Sequence, residues 1–406
     1  MALNTTLSGI NAAQSDLNVI SNNIANANTT GFKGSRAEFG DIFAVTGLNL
    51  NATAVGSGAR LQEVAQQFTQ GNISTTGNSL DMALSGNGFF VVNNGNGPIY
   101  TRAGDFQQSP DGYVQTPDGA KLQIYPPNAA GGFDTSTLTD LKLMTTQSTA
   151  QATSTITLSS NLSASDSVPT TTPFSPTDST SYNDAQPVTV YDSQGGSHQA
   201  TVYYVKTGTN TWNANLYVDG QNAGTQALTF GSSGTLTSPA NGQLAFGAVN
   251  LGNGSSPLAL TLNASNVTQF GTSYSAGTIN QNGYEAGTLS NIDIDSKGVV
   301  TAYYSNGQSN TLGQVAVANF TNAQGLRQLG NTTWASSTDS GVPIMGTADS
   351  GQFGTIQSGA LESSNTADTT AQLVAMIQAQ QAYQANAQVL GTDNTLTTTL
   401  FNAVSR

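Results

Sequence analysis

The sequence predicts a mainly β protein of nested domains whose two termini are amphipathic helices that pair as a coiled-coil-like stalk. Three features carry that expectation. Apolar residues at helical spacing are confined to the two ends of the chain. The middle consists of strand-length alternating runs bounded by Gly, Asn, Asp and Pro. Neutral hydroxyls and amides dominate the composition, with charged residues at only 8% and glycine at 44 positions.

The first helix rests on Leu3, Leu7, Ile10, Leu17, Ile20 and Ile24, spaced by three, four or seven with Asn, Gln, Ser and Asp between them. It is expected to stop near Asn28, because Thr29-Thr30-Gly31 supplies a terminator and a turn. At the other end Leu373, Met376, Tyr383, Ala387, Leu390, Phe401 and Val404 share one seam, with polar Gln380, Asn394 and Thr397 at the remaining seam sites. With Asn365 as N-cap, a helix from Thr366 to Ala403 would run roughly 55 Å and would need a partner along its length. Shared periodicity at both ends of a β-rich chain makes pairing of the two helices the simplest account.

Between the helices, Gly88 to Val92, Pro98 to Arg102 and Lys121 to Tyr125 read as antiparallel strands. Turn chemistry stands at Asp111-Gly112, Asp118-Gly119 and Asn306-Gly307. The Ser/Thr-rich stretch Thr145 to Asp184 reads as a linker. Alternation resumes at Pro187 to Tyr191, Ala200 to Tyr204 and Thr211 to Val218, giving a second β domain that ends before the polar stretch Gly271 to Gly287. Strands at Ile292 to Ile294, Val299 to Tyr304 and Leu312 to Phe320 then complete the first β domain. The expected division is 1–28 with 366–406 as a terminal helical inner domain, 29–70 with 355–365 as connecting segments, 71–144 with 286–354 as the first β domain, and 145–285 as an inserted outer β domain.

At 406 residues there is ample length for more than one core. The net charge of −13 comes from 23 acidic and 10 scattered basic residues, which supplies no footprint for nucleic acid and no attraction to an anionic membrane. Zero cysteines exclude disulfides, thiolate metal sites and a cysteine nucleophile. The start of the chain lacks the basic and apolar regions of a secretory signal, and no apolar run reaches membrane-spanning length, so the expectation is no membrane insertion and export, if any, by another route.

The chemistry-bearing residues form no catalytic constellation, so no catalytic, cofactor-binding or metal residue is assigned and no cofactor is expected. His198, the only histidine, stands in Gly195-Gly196-Ser197-His198 and reads as a solvated turn residue. Asp293 and Asp295 open a D-x-D-x-x-G string, but Lys297 stands where an oxygen ligand is required and Tyr304 where the closing Glu is required, so the string reads as a strand and turn. Gly86-Asn87-Gly88 and Gly95-Asn96-Gly97 lack a following helix and a phosphate-reaching lysine, and read as turns.

One string stands apart. Ala25-Asn26-Ala27-Asn28-Thr29-Thr30-Gly31-Phe32-Lys33 matches the A-N-x-x-T-x-G-F-K motif of bacterial flagellar rod and hook proteins, and the chain resembles that axial family. Its physical sense lies in small residues and Asn ending the helix, Gly31 permitting a sharp exit and Phe32 anchoring the outgoing chain. Leu80 to Phe90, Tyr100-Thr101-Arg102-Ala103-Gly104-Asp105-Phe106, Gly359-Ala360-Leu361-Glu362-Ser363-Ser364-Asn365 and Met376 to Tyr383 resemble the family in the same order. Length, the inserted β domain and Val190 to His198 favour the hook branch.

The resemblance implies a structural, non-enzymatic subunit that self-assembles as a helical homopolymer into the curved tube of the hook, a flexible joint carrying torque from rod to filament. It implies the distal rod protein, the hook cap protein, the hook–filament junction protein and the flagellar type III export apparatus as partners. The implied place is extracellular, at the distal end of the basal body, reached without a cleaved signal peptide. Two alternatives stand beside it: a distal rod subunit of the same family, and a secreted β-rich glycan-binding or carbohydrate-active protein.

Overall fold

A computed structural model describes residues 2–42, 56–143 and 147–404. The chain is mostly β structure with one long helix at each end, α1 (Ala2–Ala25) and α2 (Thr369–Val404), which pack against each other. It divides into two compact units, one of residues 1–143, 291–303 and 309–406, the other of 144–290 and 304–308.

In the first unit, Ser309–Asn319 is the central strand. It pairs antiparallel with Val299–Tyr304, Lys121–Tyr125, Phe89–Asn93 and Ile344–Thr347. Residues 313–318 of this strand are buried without alternation, as expected of a strand covered on both faces. The core is aromatic. Phe89 meets Phe68, Phe320 and Trp334 edge-on at centroid distances of 5.6, 5.9 and 5.7 Å, and the Trp334 indole N–H donates to Gln66 Oε1 at 2.6 Å. The strands read from sequence at 88–92, 98–102 and 121–125 are present. Asp295 Oδ1 accepts from the N–H groups of Lys297 and Val299, which fixes the turn read there.

The second unit packs two sheets over a common core. One is an antiparallel meander of Asp184–Tyr191, Ser197–Gly208, Thr211–Val218, Gln221–Phe230 and Leu236–Ser238. The other has the order Gln243–Ala245, Thr261–Phe270, Thr155–Ser163, Ser275–Gln281, with the middle pair parallel. Trp212, Leu216, Val202, Leu158 and Leu262 lie at the centre, and the Trp212 indole N–H donates to Gln269 Oε1 at 3.0 Å.

Two stretches read from sequence as lying outside the sheets are strands. Thr155–Ser163, inside the expected linker, is a core strand with Ile156, Leu158 and Leu162 facing inward. Ser275–Gln281, inside the polar stretch expected to lie outside the domain, is an edge strand with mostly exposed side chains, so no apolar alternation marks it.

His198 is likewise not a solvated turn residue. Its side chain is 13% exposed and clamped between two carboxylates, Nδ1 to Asp219 Oδ2 at 2.5 Å and Nε2 to Asp192 Oδ2 at 3.2 Å. Burial pulls the imidazole pKa down, but the hydrogen bonds and charges of Asp219 and Asp192 outweigh it and raise the pKa above the ordinary value. A raised folded value means that this stability is fully present below the ordinary histidine pKa and is lost as pH rises through the shifted one. Denaturant midpoints of the second unit, followed by Trp212 emission from pH 6 to 9, are expected to fall with rising pH, and His198→Asn to flatten that slope.

Candidate functional site

The two helices run antiparallel. A Cβ on Gly9 would lie 2.7 Å from Asn386 Oδ1, while at the other end Thr366 Oγ1 donates to the Asn23 carbonyl at 3.0 Å. The contact is made of small and polar groups. Thr6, Ala13 and Ile20, seven residues apart, are buried in α1 together with Asn23, and among the described residues Ala379 is the buried one of α2, flanked by half-buried Gln372, Ala375, Met376, Asn386, Leu390 and Asp393. On its other flank α1 lies against the ribbon of Ser35–Asp41 and Ala59–Gln66, where Ser8 Oγ accepts from Ala59 N–H at 3.2 Å.

Of the α1 seam residues, Ile20 is buried, Ile10, Leu17 and Ile24 are half-buried, and Leu7 is exposed. In α2, Met376 and Leu390 are half-buried, whereas Leu373, Tyr383, Ala387 and Phe401 are exposed. The side chains of Leu3 and Val404 lie outside the described residues. The apolar seam of α2 is therefore turned largely away from α1, which meets the alanine side of the helix. The register sets Ala2 opposite residues near 393, so the last three turns of α2 extend past α1. Leu396, Leu400 and Phe401 there are 62%, 64% and 77% exposed.

α1 ends at Ala25, three residues before the expected stop, because Asn26 and Asn23 take up backbone groups. Asn26 Nδ2 donates to the Asn22 carbonyl at 3.0 Å, and its Oδ1 accepts from Thr29 Oγ1 at 3.2 Å. Asn23 forms a two-bond clamp with Ser35, donating to its carbonyl at 2.8 Å and accepting from its N–H at 2.9 Å. Gly31 has φ +66° and donates its N–H to the Glu362 carbonyl at 2.8 Å. Phe32 is buried, and Lys33 follows it into the interior at 1% exposure.

Lys33 ends in a buried charge triad. Its Nζ lies 2.6 Å from Glu362 Oε1 and donates to the Thr69 carbonyl at 2.9 Å. Arg102 Nη1 lies 3.3 Å from Glu362 Oε2, and the guanidinium also donates to the carbonyls of Leu84 at 3.0 Å and Gly86 at 2.6 Å. Gly71 N–H adds a further bond to Glu362 Oε1 at 2.8 Å. Burial pulls the pKa of both Lys33 and Arg102 down, opposed by Glu362. Three of the strings that carry the family resemblance thus each contribute one charge to a single point.

Asn365 completes the junction instead of capping α2. Its Oδ1 accepts from Gly34 N–H at 2.7 Å, and its Nδ2 donates to the Gln67 carbonyl at 2.5 Å. The N-cap is Asp368, whose Oδ1 accepts from the N–H groups of Thr370 at 3.1 Å and Ala371 at 3.2 Å, so α2 begins at Thr369 and not at Thr366. Sequence reasoning missed Arg102, Glu362 and Asn23 as junction residues. The usable signal was a lone charge inside an otherwise small or apolar string in a chain with so few charges. Among the described residues no three His, Asp or Glu side chains converge as a metal site, and no helix is long and apolar enough to cross a membrane.

Comparison with known proteins agrees along the whole chain. Residues 3–33 match the flagella basal body rod protein family, 83–164 the flagellar hook protein FlgE/F/G D1 domain, 161–284 the flagellar basal body protein FlaE D2 domain, and 357–403 the flagellar basal body rod FlgEFG protein C-terminal family. The flagellar hook protein FlgE of Escherichia coli K12 is 39% identical over 99% of this chain and 100% of its own length. That of Rhizobium meliloti is 32% identical over 98% of each chain. The crystal structure of Helicobacter pylori flagellar hook protein FlgE2 shares the fold with a TM-score of 0.50 at 15% identity, covering 71% of this chain and 100% of that one. With relatives this similar over nearly their full length, the chain belongs to the flagellar hook protein FlgE family.

Proposed function

We propose that this structural subunit polymerises through its paired terminal helices into the curved tube of the flagellar hook, the flexible joint that passes torque from rod to filament. One observation carries the reading: the apolar residues of the last turns of α2, Leu396, Leu400 and Phe401, are exposed beyond the end of α1. Burying such side chains against a neighbour yields roughly 1.5–3 kcal/mol each, and a repeated heterologous contact builds an open helix instead of a closed ring. The α2 seam of Leu373, Met376, Tyr383, Ala387, Leu390, Phe401 and Val404 and the α1 seam of Leu3, Leu7, Ile10, Leu17, Ile20 and Ile24 are the contact surfaces in this scheme. They make 1–28 with 366–406 the coiled-coil-like inner domain of the tube, 29–70 with 355–365 its connection, and 71–144 with 286–354 and 145–285 the outward β domains.

In this arrangement the tube meets a distal rod protein at its base and a cap protein and junction protein at its tip, and the subunit arrives unfolded through the flagellar type III export apparatus. The long helix with few intramolecular apolar contacts supports a subunit whose ends gain order on assembly. Electron microscopy of the purified chain under polymerising salt is expected to give curved tubes, and the triple variant Leu396→Ser, Leu400→Ser, Phe401→Ser to stay monomeric with unchanged unfolding of both β units. Tubes formed equally by the variant, or globular particles from the intact chain, would sink the proposal.

A further inference from the structure

The second unit holds a compartment of polar atoms that its own side chains leave unpaired. The strand Asp184–Tyr191 lies at one edge of the five-stranded sheet, and register places Asp184 opposite Tyr204, with Gln186 two residues along on the same inward face. Across the sandwich Ser160 also points inward, on the strand that pairs with the edge strand Ser275–Gln281, and Tyr274 stands just before that edge strand. Gln186, Ser160 and Tyr204 are 2%, 4% and 1% exposed. Yet Asp184 Oδ2, both amide atoms of Gln186 and the Tyr274 hydroxyl have no hydrogen-bond partner, and the Tyr204 and Ser160 hydroxyls have at most each other, in poor geometry. Native interiors pair such groups almost without exception, because a buried polar atom left without a partner loses its hydration and gains nothing in return.

Apart from the Gln186 amide nitrogen, the side chains gathered here offer oxygen atoms, and their carboxylates give a net negative charge. Asp184 and Tyr274 open onto a cleft of about 670 Å³ whose wall also carries Asp166, Ser163, Ser165 and Ser273. The nearby cation, Lys206, is turned away, since its ammonium donates to the main-chain carbonyls of Ala164 at 2.6 Å and Asp166 at 2.8 Å. Burial, and then the charge of Asp166, pushes the Asp184 carboxyl up to about 6. Burial, and then the charge of Asp184, pushes the Tyr274 hydroxyl up to about 12. Asp166, Asp184 and Tyr274 share the wall of this one cleft.

We infer that this compartment is a binding site for a hard divalent cation of calcium size, held by Asp184 with Gln186 Oε1, Ser160 Oγ and the two tyrosine hydroxyls, and with Asp166 at its mouth. Two carboxylates balance the charge of a divalent ion. Donors drawn from separate strands and loops suit the loose geometry and six to eight oxygen ligands of calcium better than the strict octahedron of magnesium. With so few carboxylates the affinity falls in the class of extracellular modules, on the order of 10⁻⁴–10⁻³ M. The sequence gives no sign of such a site, because the ligands are mostly neutral and lie far apart along the chain.

Terbium reports on the site directly, because Tyr204 and Tyr274 beside a bound ion sensitise its emission. Titrating the full-length chain with terbium under tyrosine excitation is expected to give saturable luminescence that calcium displaces, with magnesium displacing it less well. Asp184→Asn is expected to abolish the saturable component, and Asp166→Asn to weaken calcium competition several-fold. Folding of both variants is checked by the Trp212 unfolding transition in chelator, and Asp166→Asn, changed only at the cleft wall, carries the test if Asp184→Asn does not fold. No saturable signal, or a signal that both folded variants retain at wild-type strength, overturns the proposal and leaves the compartment to water.

Discussion

Glu362→Gln is expected to destabilise the first unit by about 3–5 kcal/mol, the range for removing one partner of a buried ion pair. The carboxylate is fully buried and, among the described residues, is the only anion shared by Lys33 and Arg102, at 2.6 and 3.3 Å. An amide keeps the shape and an acceptor for Gly71 N–H but leaves two cations in the interior without a counter-charge. Lys33→Met is expected to cost less, because the buried cation goes together with its ion pair and its bond to the Thr69 carbonyl, while Glu362 keeps Arg102 and Gly71 N–H. The measurement is denaturant unfolding followed by Trp334 emission in a Trp212→Phe background, which isolates the first unit. Equal midpoints for Glu362→Gln and the parent would mean that the triad does not hold the junction.

The same junction marks how far sequence could be read. The two helices, the strands at 89–93 and 98–101 and the turn at Asp295 were legible because each is announced locally, by spacing or by turn chemistry. Thr155–Ser163 was not, because its inward positions include a polar residue, Ser160, and it lies in a Ser/Thr-rich stretch that composition alone assigns to linker. Ser275–Gln281 was not, because an edge strand with both faces largely in water has no reason to alternate. Asn365 is a good capping residue in sequence, yet its side chain is engaged by Gly34 and Gln67, and Asp368 caps α2 instead. Such competition between a local role and a tertiary one is invisible until the chain is folded.

Charges tell the same story from the other side. Lys33 was legible as a motif residue and Glu362 and Arg102 only as members of similar strings, separated by up to 329 positions. Nothing in spacing predicts that they meet. Because the segment after α1, the strand Met82–Ser85 and the approach to α2 all bond to this triad or to Asn365, while Thr366 and Ser35 hold Asn23 in the last turn of α1, the junction fixes the angle at which both helices leave the β structure. A polymer built through the helices inherits that angle in every subunit.

Gly31→Ala tests the angle most sharply. The residue has φ +66°, a conformation that costs a non-glycine residue roughly 1–2 kcal/mol. A Cβ there would also lie 2.6 Å from the carbonyl carbon of Arg102 and 2.7 Å from Ala103 Cα, and that backbone cannot yield without moving the triad. Gly359 supplies the internal control, since its φ is +69° and a Cβ there meets nothing within 4 Å. Both substitutions carry the same conformational penalty, and only the first adds a backbone clash. Gly359→Ala is therefore expected to cost about 1–2 kcal/mol, and Gly31→Ala distinctly more, on the order of 3–5 kcal/mol. Gly31→Asn is expected to fail as well, because Asn relieves the left-handed penalty but not the clash. Denaturant midpoints read by Trp334 decide the matter: equal losses at positions 31 and 359 would show that the chain beside Arg102 gives way, and that the exit from α1 is set by conformation alone.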